Sequence, residues 1–358
     1  MKKILIVTGG SGGHVIPSLS IYDHLKNKFD LTIVTDIRGA RYIDKNNYKF
    51  TLIDVPNVLS KLYLIPTNFL KFLFSIFSSF FFLKKKKINF LISTGGYMSL
   101  PLCIASKFLN IKIFLFEPNS VLGRANKFML GFAERIICYD NELRLFPKKY
   151  KYKIYLINPV LRKEMYFYKK NKKKDFKNLK KILIIGGSQG ANFFDKNLIK
   201  VILKISQEFQ IEVHQQISDK NEKNLIEQKY KKSGVKYNLF EFDKNLFEGL
   251  NDIDLAITRC GASAISELSY LNIPFIAIPF PFAKDDHQYF NAKFYENRNC
   301  CWLIRQDNID LESFSNMLIK LFNDKVDFFK KKESLKKISN QNTWNNINKK
   351  LLELINAN

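Results

Sequence analysis

Cysteine is scarce in this chain, and its arrangement carries no chemistry. The five cysteines (Cys103, Cys138, Cys260, Cys300, Cys301) form no CxxC pair and have no histidine at metal-ligand spacing. A zinc centre and a disulfide framework are therefore excluded, and buried or incidental thiols of a reducing compartment are expected. The dinucleotide fingerprint GxGxxG and the Walker loop GxxxxGK(S/T) are both missing, which disfavours an NAD(P)-dependent oxidoreductase. No basic-then-apolar leader with a small-residue cleavage site precedes the first strand, so secretion is not expected. Acidic residues are few: 33 Asp and Glu against 58 Lys and Arg give a net charge of +25. That balance invites nucleic acid, yet none of the nucleic-acid recognition modules is present, and nucleic acid is not expected as a partner. Much of the charge lies in lysine tracts such as 84–87 and 169–174. They leave a basic face suited to anionic lipid or to a pyrophosphate substrate.

No apolar run reaches the roughly 20 residues that a membrane-spanning helix needs. The Phe- and Leu-rich stretch 63–83 comes nearest. It is uninterrupted only over 72–83, with Pro66, Asn68 and Lys71 breaking the part before. A core helix and a helix lying in a bilayer surface both fit it, and one helix can serve as both on opposite sides.

What is present is a phrase used twice. Residues 2–13 read KKILIVTGGSGG, with His14 next, and residues 180–191 read KKILIIGGSQGA. Each is a β-type run breaking into a Gly/Ser loop before a helix start. Glycines permit a tight turn and a close ligand approach, and the helix N-terminus beyond offers N–H groups to an anion. With 358 residues, 46% of them hydrophobic, the chain can build two full cores. Strand and helix patterns alternate throughout, as a parallel sheet requires. The expected fold is α/β with two Rossmann-like domains, over 1–162 and 163–340, and a C-terminal helix within 341–358 returning to the first. One ligand would lie in the cleft between the domains.

Four segments have the make-up of a site. In GGSGGH (9–14), His14 follows a phosphate-type loop at a helix N-terminus, whose dipole favours the neutral ring that can accept a proton. STGGYMSLP (93–101) is a second glycine turn after an apolar strand. TRCGASAISE (258–267) brings Arg259 to a loop as a cation for a diphosphate, and sets Glu267 where a carboxylate can accept two ribose hydroxyls. PFPFAKDDHQYFN (279–291) gathers Asp286, His287, Gln288 and Asn291, as suits a sugar. Asp285 and Asp286 lack a third partner at fixed spacing, so no metal site is expected.

Taken in order, GGSGGH, GGY followed by proline, EPN, NPVxR, GGSQGA, RxGAxxxSE and DHQxxNA resemble the MurG-type transferases of peptidoglycan synthesis. The resemblance runs over nearly the whole chain and implies the GT-B glycosyltransferase fold. The N-terminal domain would serve acceptor and membrane, and the C-terminal domain UDP-GlcNAc. It implies inverting transfer of N-acetylglucosamine to the muramoyl sugar of undecaprenyl-diphospho-muramoylpentapeptide (lipid I), giving lipid II. The enzyme would be peripheral on the cytoplasmic face of the cell membrane, against anionic lipids, with no cofactor and no metal. Carried over by residue, donor contacts fall to Ser11, Gly12, Gly13, Asn119, Arg162, Ser188, Asp243, Arg259 and Gln288, and to Ala262, Ser263, Ala264, Ile265, Ser266 and Glu267. Gly95, Gly96 and Tyr97 fall to the acceptor. Pro118 stands where the family often has glutamine, and Cys260 where serine is common. Alternatives are a related GT-B transferase acting on diacylglycerol and a non-catalytic sugar-nucleotide binder.

Overall fold

The structure, a computed structural model, describes residues 1–56, 65–168, 179–187, 191–241 and 252–357. It divides into two compact units, Met1–Tyr166 with Thr343–Asn358, and Phe167–Asn342. The break comes after Tyr166 because helix α6 (Lys163–Phe167) begins on the first unit: Met165 is fully buried and the Tyr166 hydroxyl donates to Pro159 O.

In the first unit the described strands are β1 (Lys3–Val7), β2 (Asp30–Thr35), β3 (Phe50–Leu52), β4 (Phe90–Ser93), β5 (Lys112–Glu117), β6 (Arg135–Cys138) and β7 (Ile154–Leu156). They form one parallel sheet in the order β3-β2-β1-β4-β5-β6-β7. Strand β1 is apolar on both sides because both sides are covered. Leu5 and Val7 enter one core with Leu83, Leu102 and Leu122, while Ile4 and Ile6 enter the other with Val15, Ile21 and Leu351. Helices α1 (Gly12–Leu25) and α13 (Trp344–Asn356) lie on the second of these faces. The chain runs outward from β1 to β3, then crosses back to β4 on the other side of β1. That reversal is the switch point where open α/β sheets bind ligands.

Helix α13 starts at Thr343, whose hydroxyl accepts from Asn346 N at 3.2 Å. It buries Ile347, Leu351, Leu354 and Ile355 on one stripe, which contributes roughly 6–12 kcal/mol of transfer free energy. Its first residue, Trp344, stacks on His24 of α1 with ring centroids 3.6 Å apart. Burial pushes the His24 imidazole down to about 3 from 6.5, and neither ring nitrogen has a protein partner among the described residues. The unfolded chain takes up this proton near 6.5 and the folded chain resists it to about 3. Stability is therefore complete above pH 6.5 and falls as the pH drops toward 3, at up to about 1.4 kcal/mol per unit. We expect His24→Phe to keep the stack and flatten this slope in thermal melts between pH 7 and 5; equal slopes in both proteins would contradict it.

The stretch 63–83, of which 63 and 64 lie outside the described residues, departs from its sequence expectation in the break at Pro66, Asn68 and Lys71. Helix α3 runs unbroken over Ile65–Lys86, 22 residues. Pro66 does not interrupt it, because a first-turn residue needs no intrahelical N–H bond. By length and composition α3 could cross a membrane, yet it is the crossover from β3 to β4. Its buried residues are Asn68, Ser75, Ser79 and Leu83, with Ile76, Phe80 and Phe82 packed on the core. Ser75 Oγ satisfies itself on Lys71 O at 2.8 Å. Small residues let α3 lie close to α4 (Leu100–Phe108), while Phe69, Leu70, Leu73, Phe74, Phe77 and Phe81 stand exposed on the other side. One face is core and the opposite face is uncovered aromatic surface.

The second unit repeats the plan with β8 (Leu179–Ile185), β9 (Gln210–Gln216), β10 (Lys236–Phe240), β11 (Leu255–Thr258), β12 (Phe275–Ala277) and β13 (Cys301–Leu303). Its parallel order is β10-β9-β8-β11-β12-β13. Along β8, Ile182 and Ile184 face one core and Leu183 and Ile185 the other. The switch point lies between β8 and β11.

Candidate active site

In the first unit the turns after β1 and β4 meet at the switch point. Thr94 Oγ1 donates to Thr8 Oγ1 at 2.9 Å. The first turn needs glycine for two reasons. A Cβ on Gly9 would lie 2.6 Å from Met98 Cγ, and Gly10 has a left-handed φ of +80°. Asp36, just past β2, pins the turn: its carboxylate accepts from Gly10 N at 2.9 Å and Gly39 N at 2.7 Å, and pairs with Arg38. Burial pulls the Asp36 carboxyl upward, but these donors outweigh it and the net shift is down.

Ser11 is the N-cap of α1. Among the described residues, no protein acceptor meets the N–H groups of Gly12 and Gly13. His14, half-buried, places Nδ1 2.6 Å from Thr94 O. A carbonyl only accepts, so Nδ1 carries a proton, and in the neutral ring the lone pair falls on Nε2. Gly95 lies directly against the ring: a Cβ there would lie 3.3 Å from His14 Cε1. Gly96 also has positive φ, and Tyr97 packs on Phe72 of α3 at 5.8 Å.

Asn119 follows β5 and is organised by Glu117. That buried carboxylate accepts from Asn119 N and Nδ2, from Gly123 N at 2.7 Å and from Asn126 Nδ2 at 3.0 Å. Arg162 is half-buried before α6.

In the second unit Gly186 and Gly187 open the second glycine loop, and Ser188 lies outside the described residues, as does Asp243. Helix α9 (Ala262–Tyr270) begins after Gly261 at the end of β11. Ala262, Ser263, Ala264 and Glu267 are half-buried. Ile265 and Ser266 are buried, Ser266 Oγ lying 3.1 Å from Tyr295 OH, so toward a ligand these two can offer only backbone. Gln288, in α10 (His287–Glu296), accepts at Oε1 from Cys260 N and from Phe280 N, each at 3.0 Å. Two backbone donors on one oxygen fix the amide's orientation and leave Nε2 as a directed donor.

Two residues depart from the roles their sequence position suggests. Arg259 is no exposed loop cation. It is 5% exposed, sits 4.7 Å over the Phe194 ring, and donates Nη1 to Ile278 O and Pro279 O and Nη2 to Gln306 Oε1. Burial pushes its pKa down to about 10. Its planar fork suits these carbonyls and holds the start of the loop that leads into α10. Asn291 is also buried and donates to Cys260 O at 3.1 Å, so it braces the turn and is not placed to meet a sugar. Asp286 pairs with Arg305 at 2.7 Å, and His287 Nδ1 lies 2.8 Å from Lys284 O. Asp36 and Gln216, whose Oε1 accepts from Gly186 N at 3.0 Å, were not singled out in the sequence, and Glu117 entered only as part of EPN, although each stands at or just beyond the C-terminal end of a strand, where ligand-facing loops begin.

The family model of the glycosyltransferase family 28 N-terminal domain matches residues 4–138, and that of its C-terminal domain matches residues 181–350. A transferase of Pelagibacter ubique, named UDP-N-acetylglucosamine--N-acetylmuramyl-(pentapeptide) pyrophosphoryl-undecaprenol N-acetylglucosamine transferase, is 44% identical over 360 residues, covering 100% of this chain and 99% of its own. The chain belongs to glycosyltransferase family 28, with the MurG-type transferases. A transferase of the same name from Rickettsia bellii is 33% identical over 90% of this chain and 92% of its own. Among solved structures, MurG of Acinetobacter baumannii aligns with a TM-score of 0.77 at 22% identity, covering 100% of both chains. A UDP-GlcNAc 2-epimerase of Neisseria meningitidis, bound to UDP-GlcNAc, aligns at 0.66 and 14% identity, covering 99% of this chain and 100% of its own. At those identities the likeness is one of fold. Family 28 membership makes the chain a GT-B glycosyltransferase and sets aside the oxidoreductase and the non-catalytic binder.

Proposed function

We propose that this protein transfers N-acetylglucosamine, with inversion, from UDP-GlcNAc to the muramoyl sugar of undecaprenyl-diphospho-muramoylpentapeptide, giving lipid II. The observation that carries this is the full-length, 44% identity to a transferase of that name. In this reading the second unit takes the donor. Glu267 accepts the ribose hydroxyls, Ser188 and the N–H groups at the start of α9 meet the diphosphate, and Gln288 donates Nε2 to the GlcNAc. The first unit takes the acceptor beside Gly95, Gly96 and Tyr97. His14 Nε2 accepts the proton of the attacking hydroxyl as its oxygen bonds to the anomeric carbon and UDP departs. Developing charge on UDP is met by Arg162 and by loop N–H groups, including those of Gly12 and Gly13, with no divalent ion required. Arg259 drops out as a ligand and remains as a brace.

The acceptor's lipid tail stays in its bilayer, so the enzyme must come to it. The exposed aromatic face of α3, with lysines 84–87 at its end, supports peripheral docking on an anionic cytoplasmic leaflet.

Calorimetry with UDP and UDP-GlcNAc tests the donor half. Glu267→Ala should weaken both ligands alike. Gln288→Glu retains the acceptor oxygen for Cys260 N and Phe280 N but removes the donor, so UDP-GlcNAc should weaken about tenfold more than UDP. Equal loss for both ligands in the Gln288 variant would take that residue off the sugar.

A further inference from the structure

The first glycine turn is soft by composition and is held from outside itself. Four of the five residues before His14 are glycine, and such a run has wide conformational freedom to lose. Its support comes from one segment just past β2, Asp36 to Tyr42, which includes the short helix α2 (Ile37–Ala40). Asp36 is 4% exposed, and its Oδ1 accepts from both Gly10 N, at 2.9 Å, and Gly39 N, at 2.7 Å. Its Oδ2 pairs with Arg38. The shared Oδ1 ties the turn to α2. The two backbones meet with no side chain between them, since a Cβ on Gly39 would lie 3.0 Å from Gly9 Cα. Tyr42, half-buried, packs its ring against the start of α1, where a Cβ on Gly12 would lie 3.1 Å from Tyr42 Cε1.

These contacts reach His14 through the backbone. His14 N donates to Ser11 O at 3.1 Å, so the ring stands wherever Ser11 and Gly12 are placed. Its other anchor is Thr94 O, on a turn fixed by Thr94 N donating to Val7 O at 3.0 Å and by the hydroxyl pair of Thr94 and Thr8. In dinucleotide-binding folds an acid near the end of β2 takes the ribose. Here the acid's oxygens are occupied by the protein's own N–H groups and by Arg38. A catalytic group displaced by about 1 Å can lose about 10²-fold in rate, and a glycine turn without outside support has that freedom.

We propose that Asp36 and Tyr42 are positioning residues that clamp the first glycine turn and so hold His14 in place for proton transfer, without touching substrate. This rests on the reading of His14 as the base.

The test measures kcat for transfer to a lipid I analogue by the full chain, with Asp36→Ala and Tyr42→Ala each made alone and together with His14→Ala. Each alone should lower kcat about five- to tenfold. Beside His14→Ala each should cost less than about twofold, since a ring already removed cannot be misplaced. A loss of folded protein would instead lower both backgrounds by one factor. Asp36→Asn keeps an oxygen for Gly10 N and Gly39 N and should stay within about twofold of wild type. The inference is overturned if kcat holds in folded Asp36→Ala, if the loss is as large beside His14→Ala, or if Asp36→Asn loses as much as Asp36→Ala. Should Asp36→Ala not fold, Tyr42→Ala decides by the same comparison. A wild-type chain without transfer, or His14→Ala with undiminished kcat, overturns the underlying reading and this inference with it. A large His14→Ala loss beside inert Asp36 and Tyr42 variants overturns this inference alone.

Discussion

His14→Ala should lower kcat by about 10²–10⁴, the range a positioned general base supplies, and leave UDP affinity within about twofold. The ring is fixed by its Nδ1–H bond to Thr94 O, so its only free valence is the lone pair on Nε2. The His14 side chain is not among the nucleotide's proposed contacts, which is why binding and turnover should separate. Single-turnover rates beside UDP titrations check this. A parallel loss of both would make His14 a structural support of the first glycine loop.

The second large effect belongs to α3. Replacing Phe74, Phe77 and Phe81 with Asn removes three side chains that are 73%, 62% and 54% exposed and so contribute little to the core. If they enter the headgroup boundary, each contributes on the order of 1 kcal/mol or more of burial, and vesicle binding should fall by about 10²–10³. Exchanging lysines 84–87 for Gln should add about 1 kcal/mol per residue near an anionic surface and abolish the salt sensitivity of what remains. Turnover on a long-chain lipid acceptor should drop with binding, while turnover on a short-chain soluble acceptor should hold. Equal loss on both acceptors would make α3 a folding element only, and the membrane reading would fall.

Much of this was legible in the sequence because the physics is local. Fully buried parallel strands must be apolar on both sides, so KILIV and KILII mark themselves, and the glycine turns after them mark the switch points. The face of α3 was ambiguous for a physical reason. Its inward face mixes Asn68, Ser75 and Ser79 with Ile76, Phe80, Phe82 and Leu83, while its outward face carries further phenylalanines, so apolar residues mark both sides of the helix. Pro66 read as a break because its place in the first turn depends on where the helix starts. Arg259 and Asn291 read as ligand contacts because a polar residue in a loop gives no sign of which way it turns. Three-dimensional proximity turned both inward, Arg259 onto the carbonyls of Ile278 and Pro279 and Asn291 onto that of Cys260. Asp36 and Gln216 act on backbone groups of a neighbouring glycine turn, a pairing that sequence spacing does not encode, while Glu117 organises the segment that directly follows it.

The most direct test of the whole account is a transfer reaction. The purified chain is incubated in EDTA with radiolabelled UDP-GlcNAc and either a lipid I analogue or diacylglycerol. The account predicts label on the lipid I analogue, β-linked, at a rate that added Mg²⁺ or Mn²⁺ does not change. Label on diacylglycerol in its place, or transfer that appears only when a divalent metal is restored, would contradict it.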